Sequence, residues 1–298
     1  MMSLGKKRVI VTGATGMVAS EFIKNFKHQY DIMALTRSRD LHIDEVKVLQ
    51  FSLAKFSGLR QKILDFKPDV IINTAFYLSS RSSTNEINEF IESVRFTNYL
   101  LDAIASLDNV HWIEMRSFSE FEFFKNNPPR EKASYLYSVY KSFSSNLLRW
   151  YSIQSPNVKV TELVLFTVYG KRSRGKKVID FLIDAIWSRE KVVFSSGIQR
   201  LDFVHISDVL AAIKHSIDFQ NDRIWVGTGI TTSIKELATL IESNSSRLNV
   251  FWDSSRDRPE DIYYAKAPTE LNDGWLAKVP LQKGAVEYMN DIDEFGER

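Results

Sequence analysis

Short, almost wholly apolar runs alternate along this chain with longer stretches in which apolar residues recur every three or four positions. Lys7-Arg8-Val9-Ile10-Val11, Asp31-Ile32-Met33-Ala34-Leu35, residues 46–51, Pro68-Asp69-Val70-Ile71-Ile72-Asn73-Thr74-Ala75 and residues 110–115 read as strands. Runs this short and this apolar suit strands buried on both faces of a sheet. Between them lie helical patterns ending near Phe26, over 56–66 and over 86–106, and a longer one that contains Ser134 to Lys141 and runs to about Trp150. Strands alternating with helices predict right-handed crossovers and an α/β fold. Its doubly wound parallel sheet spans residues 1–165, with ligands at the C-terminal ends of the strands. Farther on, Leu237, Leu240 and Ile241 keep a helical spacing, and Ser233-Ile234-Lys235-Glu236 has the form of a capping box at that helix's start.

Composition removes several alternatives. The 298 residues are 44% apolar and 26% charged, ordinary for a globular chain, and include no cysteine, so disulfides, thiolate catalysis and cysteine-bound metals are excluded. No two of the five histidines have metal-ligand spacing, so no metal is expected. A net charge of +2 argues against a dedicated nucleic-acid binder. No apolar run reaches membrane-span length and no signal-peptide pattern opens the chain, so a cytoplasmic protein away from membranes is expected.

Candidate chemistry begins at the first strand, which runs into Thr12-Gly13-Ala14-Thr15-Gly16-Met17-Val18-Ala19 and then a helix. Strand, glycine turn and helix start form a Rossmann-type phosphate cradle. Gly13 permits the sharp turn, Gly16 lets backbone approach a pyrophosphate, and small Ala19 lets the helix pack on the sheet. Gly13, Thr15, Gly16 and Met17 are therefore cofactor candidates. An acidic residue after the second strand would grip the ribose of NAD; here Thr36-Arg37-Ser38-Arg39 follows instead. Arg37 suits a 2′-phosphate, so NADP(H) is favoured and NAD stays open; a solvated arginine is the bland alternative. The fourth strand ends with Asn73, Thr74 and Ala75, where a nicotinamide ribose should lie. Tyr137 and Lys141 are four residues apart and share a helix face. An ammonium beside a phenol favours the phenolate and makes an acid/base group for a hydroxyl or carbonyl oxygen. Ser117, after the fifth strand, is placed to hydrogen-bond that oxygen, unless it caps its own backbone.

With Gly13, Gly16, Ser117, Tyr137 and Lys141 in this order and spacing, the chain resembles the extended short-chain dehydrogenase/reductases. Within them it is similar to the NAD(P)-dependent nucleotide-sugar epimerases, dehydratases and ketoreductases. The match continues through Leu165-Phe166-Thr167-Val168-Tyr169-Gly170, Asp202-Phe203-Val204-His205-Ile206-Ser207-Asp208-Val209, Arg258-Pro259-Glu260-Asp261 and Gly274-Trp275. The resemblance implies Tyr137 as general acid/base and Lys141 as holder of the nicotinamide ribose. It makes Ser117 the third catalytic group, with Ser119 its rival. It also implies substrate contacts from Thr167, Arg200 and Arg258, and a homodimer paired through the helices around 86–106 and 137–151. A smaller, discontinuous substrate lobe is expected from 166–202 and 227–298, with the chain returning to the first domain near 203–226.

Departures from the family pattern narrow the reaction. The dehydratases place an Asp-Glu pair after their catalytic threonine; Phe118 and Ser119 stand there, which disfavours dehydration. Ser52 replaces an acidic residue that meets adenine. Leu201 occupies the place of an arginine, with Arg200 one position earlier and so on the opposite strand face. Arg116-Ser117-Phe118, Gln199 and Val226-Gly227-Thr228-Gly229 look most like the reductases that finish CDP-dideoxyhexoses, such as abequose or paratose synthase. The expected activity is NADPH-dependent reduction of a keto group on a nucleotide-activated deoxysugar. The alternatives are a nucleotide-sugar 4-epimerase that retains NAD and a redox sensor that binds NADP without turnover. The basic run Lys171–Lys177 is either a solvated loop or a collar for a pyrophosphate. His205 reads as a hydrogen-bonded core or hinge residue. Tyr135 and Tyr140 read as packing residues, with Tyr135 also a candidate substrate contact.

Overall fold

The computed structural model describes residues 5–38, 41–51, 58–76, 86–121, 133–171, 177–187, 191–244, 249–258 and 261–295. The chain divides into two compact units, Met1–Leu163 with Ile213–Arg223, and Val164–Ala212 with Ile224–Arg298.

In chain order the first elements are β1 (Arg8–Thr12), α1 (Met17–Phe26), β2 (Asp31–Thr36), β3 (Lys47–Gln50), α2 (Leu59–Phe66), β4 (Val70–Asn73), α3 (Glu86–Ile104), β5 (Val110–Ser117), α4 (Ala133–Gln154) and β6 (Val158–Leu165). With β10 (Arg223–Val226) the strands form a seven-stranded sheet in the order β10-β6-β5-β4-β1-β2-β3. The pairs from β3 to β5 are parallel, with Val9 opposite both Ile32 and Val70, Met33 opposite Lys47 and Val70 opposite His111. This is the doubly wound order expected from the alternating pattern. Val9, Ile10 and Val11 are wholly buried because helices cover both faces of the sheet. One core gathers Ile10, Met33, Leu35, Ile63, Ile71, Phe96, Leu100, Trp112 and Leu148. The Phe51 and Phe96 rings stack there at 4.7 Å.

Among the boundaries that differ from the sequence reading, two have an identifiable cause. The fifth strand does not stop at Met115 but carries on through Arg116 and Ser117, because Arg116 finds buried partners described below. The fourth strand is shorter, since Pro68 has no N–H to give the ladder and pairing starts at Val70.

The second unit is built on β9 (Arg200–His205), which pairs in parallel with β7 (Thr167–Tyr169) and β13 (Tyr264–Ala265), and antiparallel with β11 (Thr231–Ser233). Because β9 finds its partners here, the segment that returns to the first unit is Ile213–Arg223, narrower than 203–226. Two further strands, β8 (Val192–Phe194) and β12 (Val250–Trp252), pair with each other. Helices α5 (Val178–Trp187), α6 (Ile206–Phe219), α7 (Ile234–Ser243) and α8 (Leu281–Phe295) complete the order. Ile183, Phe203, Leu237, Ile241 and Tyr288 meet in this unit's core. The capping box forms: Glu236 N donates to Ser233 Oγ at 3.1 Å and Ser233 N to Glu236 Oε2 at 2.8 Å. Asp202, fully buried, accepts the backbone N–H groups of Thr228, Gly229 and Ala267. The Asp202-Phe203 and Gly227–Gly229 motifs thus meet in one turn. Gly229 has φ +74°, and a Cβ on Gly227 would lie 2.9 Å from the Asp202 carboxylate. Among the described residues no helix is long and apolar enough to cross a membrane.

Candidate active site

Gly13 adopts φ +66°, and a Cβ there would sit 3.0 Å from Ala75 Cα and 3.1 Å from Thr74 Oγ1. The end of β4 therefore presses on the turn so closely that only glycine fits. Gly16 N donates to Gly13 O at 2.8 Å and then caps α1, and among the described residues no side chain takes the first amides of the helix. Those N–H groups and the helix dipole are left for an anion, with half-buried Thr15 and Met17 beside them. The cradle fits a dinucleotide pyrophosphate. Arg37 is exposed directly after β2, at the same C-terminal edge of the sheet. Ser52 and Arg39 lie outside the described residues.

Thr12 ties the turn to the next strand. Its Oγ1 accepts from Thr74 N at 3.1 Å and Ala75 N at 3.0 Å and donates to Asn73 Oδ1 at 2.7 Å. Asn73 Nδ2 in turn donates to Glu114 Oε2 at 2.7 Å. The Asn73 side chain, a cofactor candidate in the sequence, is thus engaged below the site surface and 1% exposed. Glu114 also accepts from Trp112 Nε1 at 2.9 Å and Ser144 Oγ at 3.3 Å. Burial pushes the Glu114 carboxyl above its ordinary range, against the opposing pull of Lys141 and these three donors.

Helix α4 carries the candidate acid/base pair, Tyr137 and Lys141. Lys141 is buried, and its Nζ donates to Met115 O at 2.6 Å. Burial works against its charge, but Tyr137, Glu114, Tyr140 and Glu120 more than offset it, and the pKa lies above the usual lysine value. The ammonium stands 5.9 Å from the Tyr137 ring centre and 5.6 Å from that of Phe76. Phe76, which the sequence reading missed, meets Tyr137 edge-on at 4.7 Å and so fixes the phenol's orientation. The only signal for it was an aromatic side chain just past β4.

Two tyrosines near Lys141 are separated by environment. Tyr140 is buried, its hydroxyl is 3.3 Å from Thr97 Oγ1, and burial pushes its pKa up to about 12. Tyr137 is half-buried, and its hydroxyl has no hydrogen-bond partner among the described residues. Tyr140 is a packing residue, as expected, whereas Tyr137 keeps its oxygen available. The Tyr135 side chain lies outside what the structure describes.

Ser117 and Ser119 are not separate candidates. Their hydroxyls are 2.8 Å apart, Ser119 N donates to Ser117 Oγ at 3.3 Å, and Ser138 Oγ donates to Ser119 Oγ at 3.2 Å. Ser138 follows Tyr137, so the chain of hydroxyls reaches the helix that bears the candidate pair Tyr137 and Lys141.

The remaining candidates belong to the second unit. Thr167 is half-buried on β7, opposite Phe203. Arg200 gives its guanidinium to Glu236 Oε1 at 3.0 Å and Thr231 O at 3.1 Å, which binds it to the cap of α7. Arg258 is exposed, and its carbonyl accepts from Asp261 N and Tyr263 OH. At the two ends of the basic run, Lys171 lies 3.5 Å from Asp291 and Lys177 donates to Val168 O at 2.6 Å; residues 172–176 lie outside the described part. His205 is half-buried, with Nδ1 2.8 Å from Ser207 Oγ.

A glycine cradle at the first strand and a buried lysine beside an accessible tyrosine define a dinucleotide-dependent oxidoreductase fold. The chain belongs to the NAD dependent epimerase/dehydratase family, whose model matches residues 9–226, within the extended short-chain dehydrogenase/reductases. It is 26% identical over 243 residues to a CDP-abequose synthase of Yersinia pseudotuberculosis, covering 78% of this chain and 83% of that one. A second CDP-abequose synthase, from Salmonella muenchen, is 24% identical and covers 95% and 97%. In fold the chain is similar to the UDP-glucose 4-epimerase of Thermus thermophilus solved with NAD, with a TM-score of 0.80, 18% identity and coverage of 96% and 99%.

Proposed function

We propose that this protein is an NADPH-dependent reductase of a keto group on a nucleotide-activated deoxysugar. The observation that carries the reading is the contrast on α4. Lys141 is buried, charged and pinned to Met115 O, while Tyr137 presents a hydroxyl that no described protein group occupies. When bound, the nicotinamide dinucleotide supplies the hydride. Tyr137 gives its proton to the carbonyl oxygen, so no full alkoxide forms, and Lys141 stabilises the phenolate left behind. The Ser117–Ser119 hydroxyl pair orients the same oxygen. Gly13, Thr15, Gly16 and Met17 hold the pyrophosphate, and Arg37 takes the 2′-phosphate that distinguishes NADP. Thr167, Arg200 and Arg258 are the proposed sugar-nucleotide contacts.

The CDP-abequose synthases among its relatives favour a reductase. Against dehydration stand Phe118 and Ser119 after Ser117, and the Glu120 carboxylate next in line is already occupied by Arg116. A homodimer is proposed through α3 and α4, which expose Ile87, Ile91, Phe143, Trp150 and Ile153. Assay of 4-keto nucleotide sugars with NADPH and NADH tests the reading. Tyr137→Phe should cut turnover about 10³-fold with NADPH binding nearly intact; a variant that keeps its activity would refute it. The second reading, a 4-epimerase, rests on the fold relative with NAD. It predicts cofactor retained in freshly purified protein and no stoichiometric consumption of added NADPH. A redox sensor would need no acid/base pair, and both members of the pair are in place.

A further inference from the structure

Four alternating charges lie side by side across one end of the sheet in the first unit. Arg223 at the start of β10 donates through Nε to Glu162 Oε2 on β6 at 2.9 Å. Arg116 on β5 donates through one arm to Glu162 Oε1 at 2.7 Å, and through Nε and its other arm to Glu120 just beyond the strand. Strand order β10-β6-β5 makes this a ladder that crosses neighbouring strands. Arg116, Glu120 and Glu162 are each less than 10% exposed, and the guanidinium carbons of Arg116 and Arg223 lie 4.9 and 5.6 Å from the Phe121 ring centre.

Burying three of these four charges is costly, and a well-packed apolar set would often serve stability as well or better. The ladder's ends point to another use. Glu120 Oε1 accepts the backbone N–H of Ser117 at 3.1 Å, at the last residue of β5. Glu162 Oε1 accepts Ser145 Oγ at 2.7 Å, and Ser145 sits four residues after Lys141 on α4. One end therefore holds the paired serines and the middle holds the helix of Tyr137 and Lys141.

Building on the reductase reading above, we propose that Glu120, clamped by Arg116, is a positioning residue that sets the Ser117–Ser119 hydroxyls against Tyr137. Glu162 is the hub that keeps α4 in register with them. Glu120 touches no reacting atom; it acts through the Ser117 amide.

Two variants separate positioning from scaffolding. Glu120→Gln keeps the volume and one acceptor but loses the charge that grips Arg116. The double variant Arg116→Met with Glu120→Met replaces the pair by apolar volume. In both, kcat for the keto sugar should fall about 10–100-fold while the KM for NADPH stays within about twofold. The double variant, in which Glu162 loses Arg116 but keeps Arg223 and Ser145, should be more stable than Arg116→Ala without regaining kcat. Amide exchange at Ser117 and Ser119 should quicken at least tenfold in both. A double variant with wild-type kcat, or unchanged exchange at Ser117 in Glu120→Gln, would overturn the assignment. Exchange is read without substrate. A wild-type protein that reduces no keto sugar while Glu120→Gln loosens the Ser117 amide would therefore remove the reductase reading and leave the positioning role standing.

Discussion

Two buried carboxylate clusters sit two residues apart on β5 and are kept inside by opposite means. Trp112, Glu114 and Arg116 alternate onto one sheet face, so both clusters lie under α4. Glu114 is surrounded by neutral donors, Asn73, Trp112 and Ser144, with the Lys141 ammonium acting through space. Glu120 and Glu162 are instead matched by guanidinium forks. Burial raises the pKa of Glu114. In Glu162 burial acts the same way, but Arg116, the Arg223 and Ser145 hydrogen bonds and the Arg223 charge outweigh it and lower the pKa. At Glu114 one ammonium acting through space and three neutral donors do not offset burial, whereas at Glu162 the guanidinium groups and Ser145 more than offset it. The same strand thus carries a soft electrostatic floor next to the cofactor side and a rigid one under the serines.

Breaking the ionic cluster should have the largest effect. Arg116→Ala leaves two buried carboxylates short of a partner and is expected to cost about 3–5 kcal/mol, read from denaturant midpoints at pH 7. His111, three residues before Glu114, sharpens the contrast because it is a buried base. Its Nε2 lies 2.8 Å from Thr161 Oγ1, and burial, with Lys7 and Lys159 nearby, lowers its pKa to about 4. Since the folded form resists the proton more than the unfolded chain does, stability should fall by about 3 kcal/mol as pH drops from about 6.5 to about 4. His111→Gln should flatten that fall. In the neutral cluster Asn73→Ala should cost about 1–3 kcal/mol, because the Thr12 hydroxyl and Glu114 each lose a partner.

The smallest effect is one of sign. Glu114, with its raised pKa, should lose stability as pH rises from its unfolded value through its folded one; Glu162, with its lowered pKa, should lose stability as pH falls from its unfolded value through its folded one, a window on the acid side of Glu114's. Glu114→Gln should therefore abolish only the decline on the rising side. If unfolding midpoints from about pH 2 to about pH 8 instead change in the same direction for both sites, the distinction between the clusters fails.

Much of the site was legible before any coordinates. Gly13, Gly16 and the Tyr137–Lys141 spacing are local patterns whose meaning depends on the nearest turn of chain, and they lie where those patterns implied. The choice between Ser117 and Ser119 was not legible, because the answer is a hydrogen bond between them rather than a preference for one. Asn73 read as a cofactor contact because its place at the end of β4 was visible and its partner, 41 residues away, was not. Phe76, Glu114 and Glu120 carried no motif at all.

The amino-acid order by itself determined the alternating strands and helices of the doubly wound sheet, the glycine turn before α1 and the shared helix face of Tyr137 and Lys141, since periodicity and spacing act over a few residues. Only the tertiary structure decided which buried acids meet which bases, because Arg116, Glu162 and Arg223 become neighbours through strand order, 46 and 61 residues apart along the chain. It also decided which of two tyrosines near Lys141 keeps a reachable hydroxyl, because burial is set by packing from other elements rather than by position on the helix.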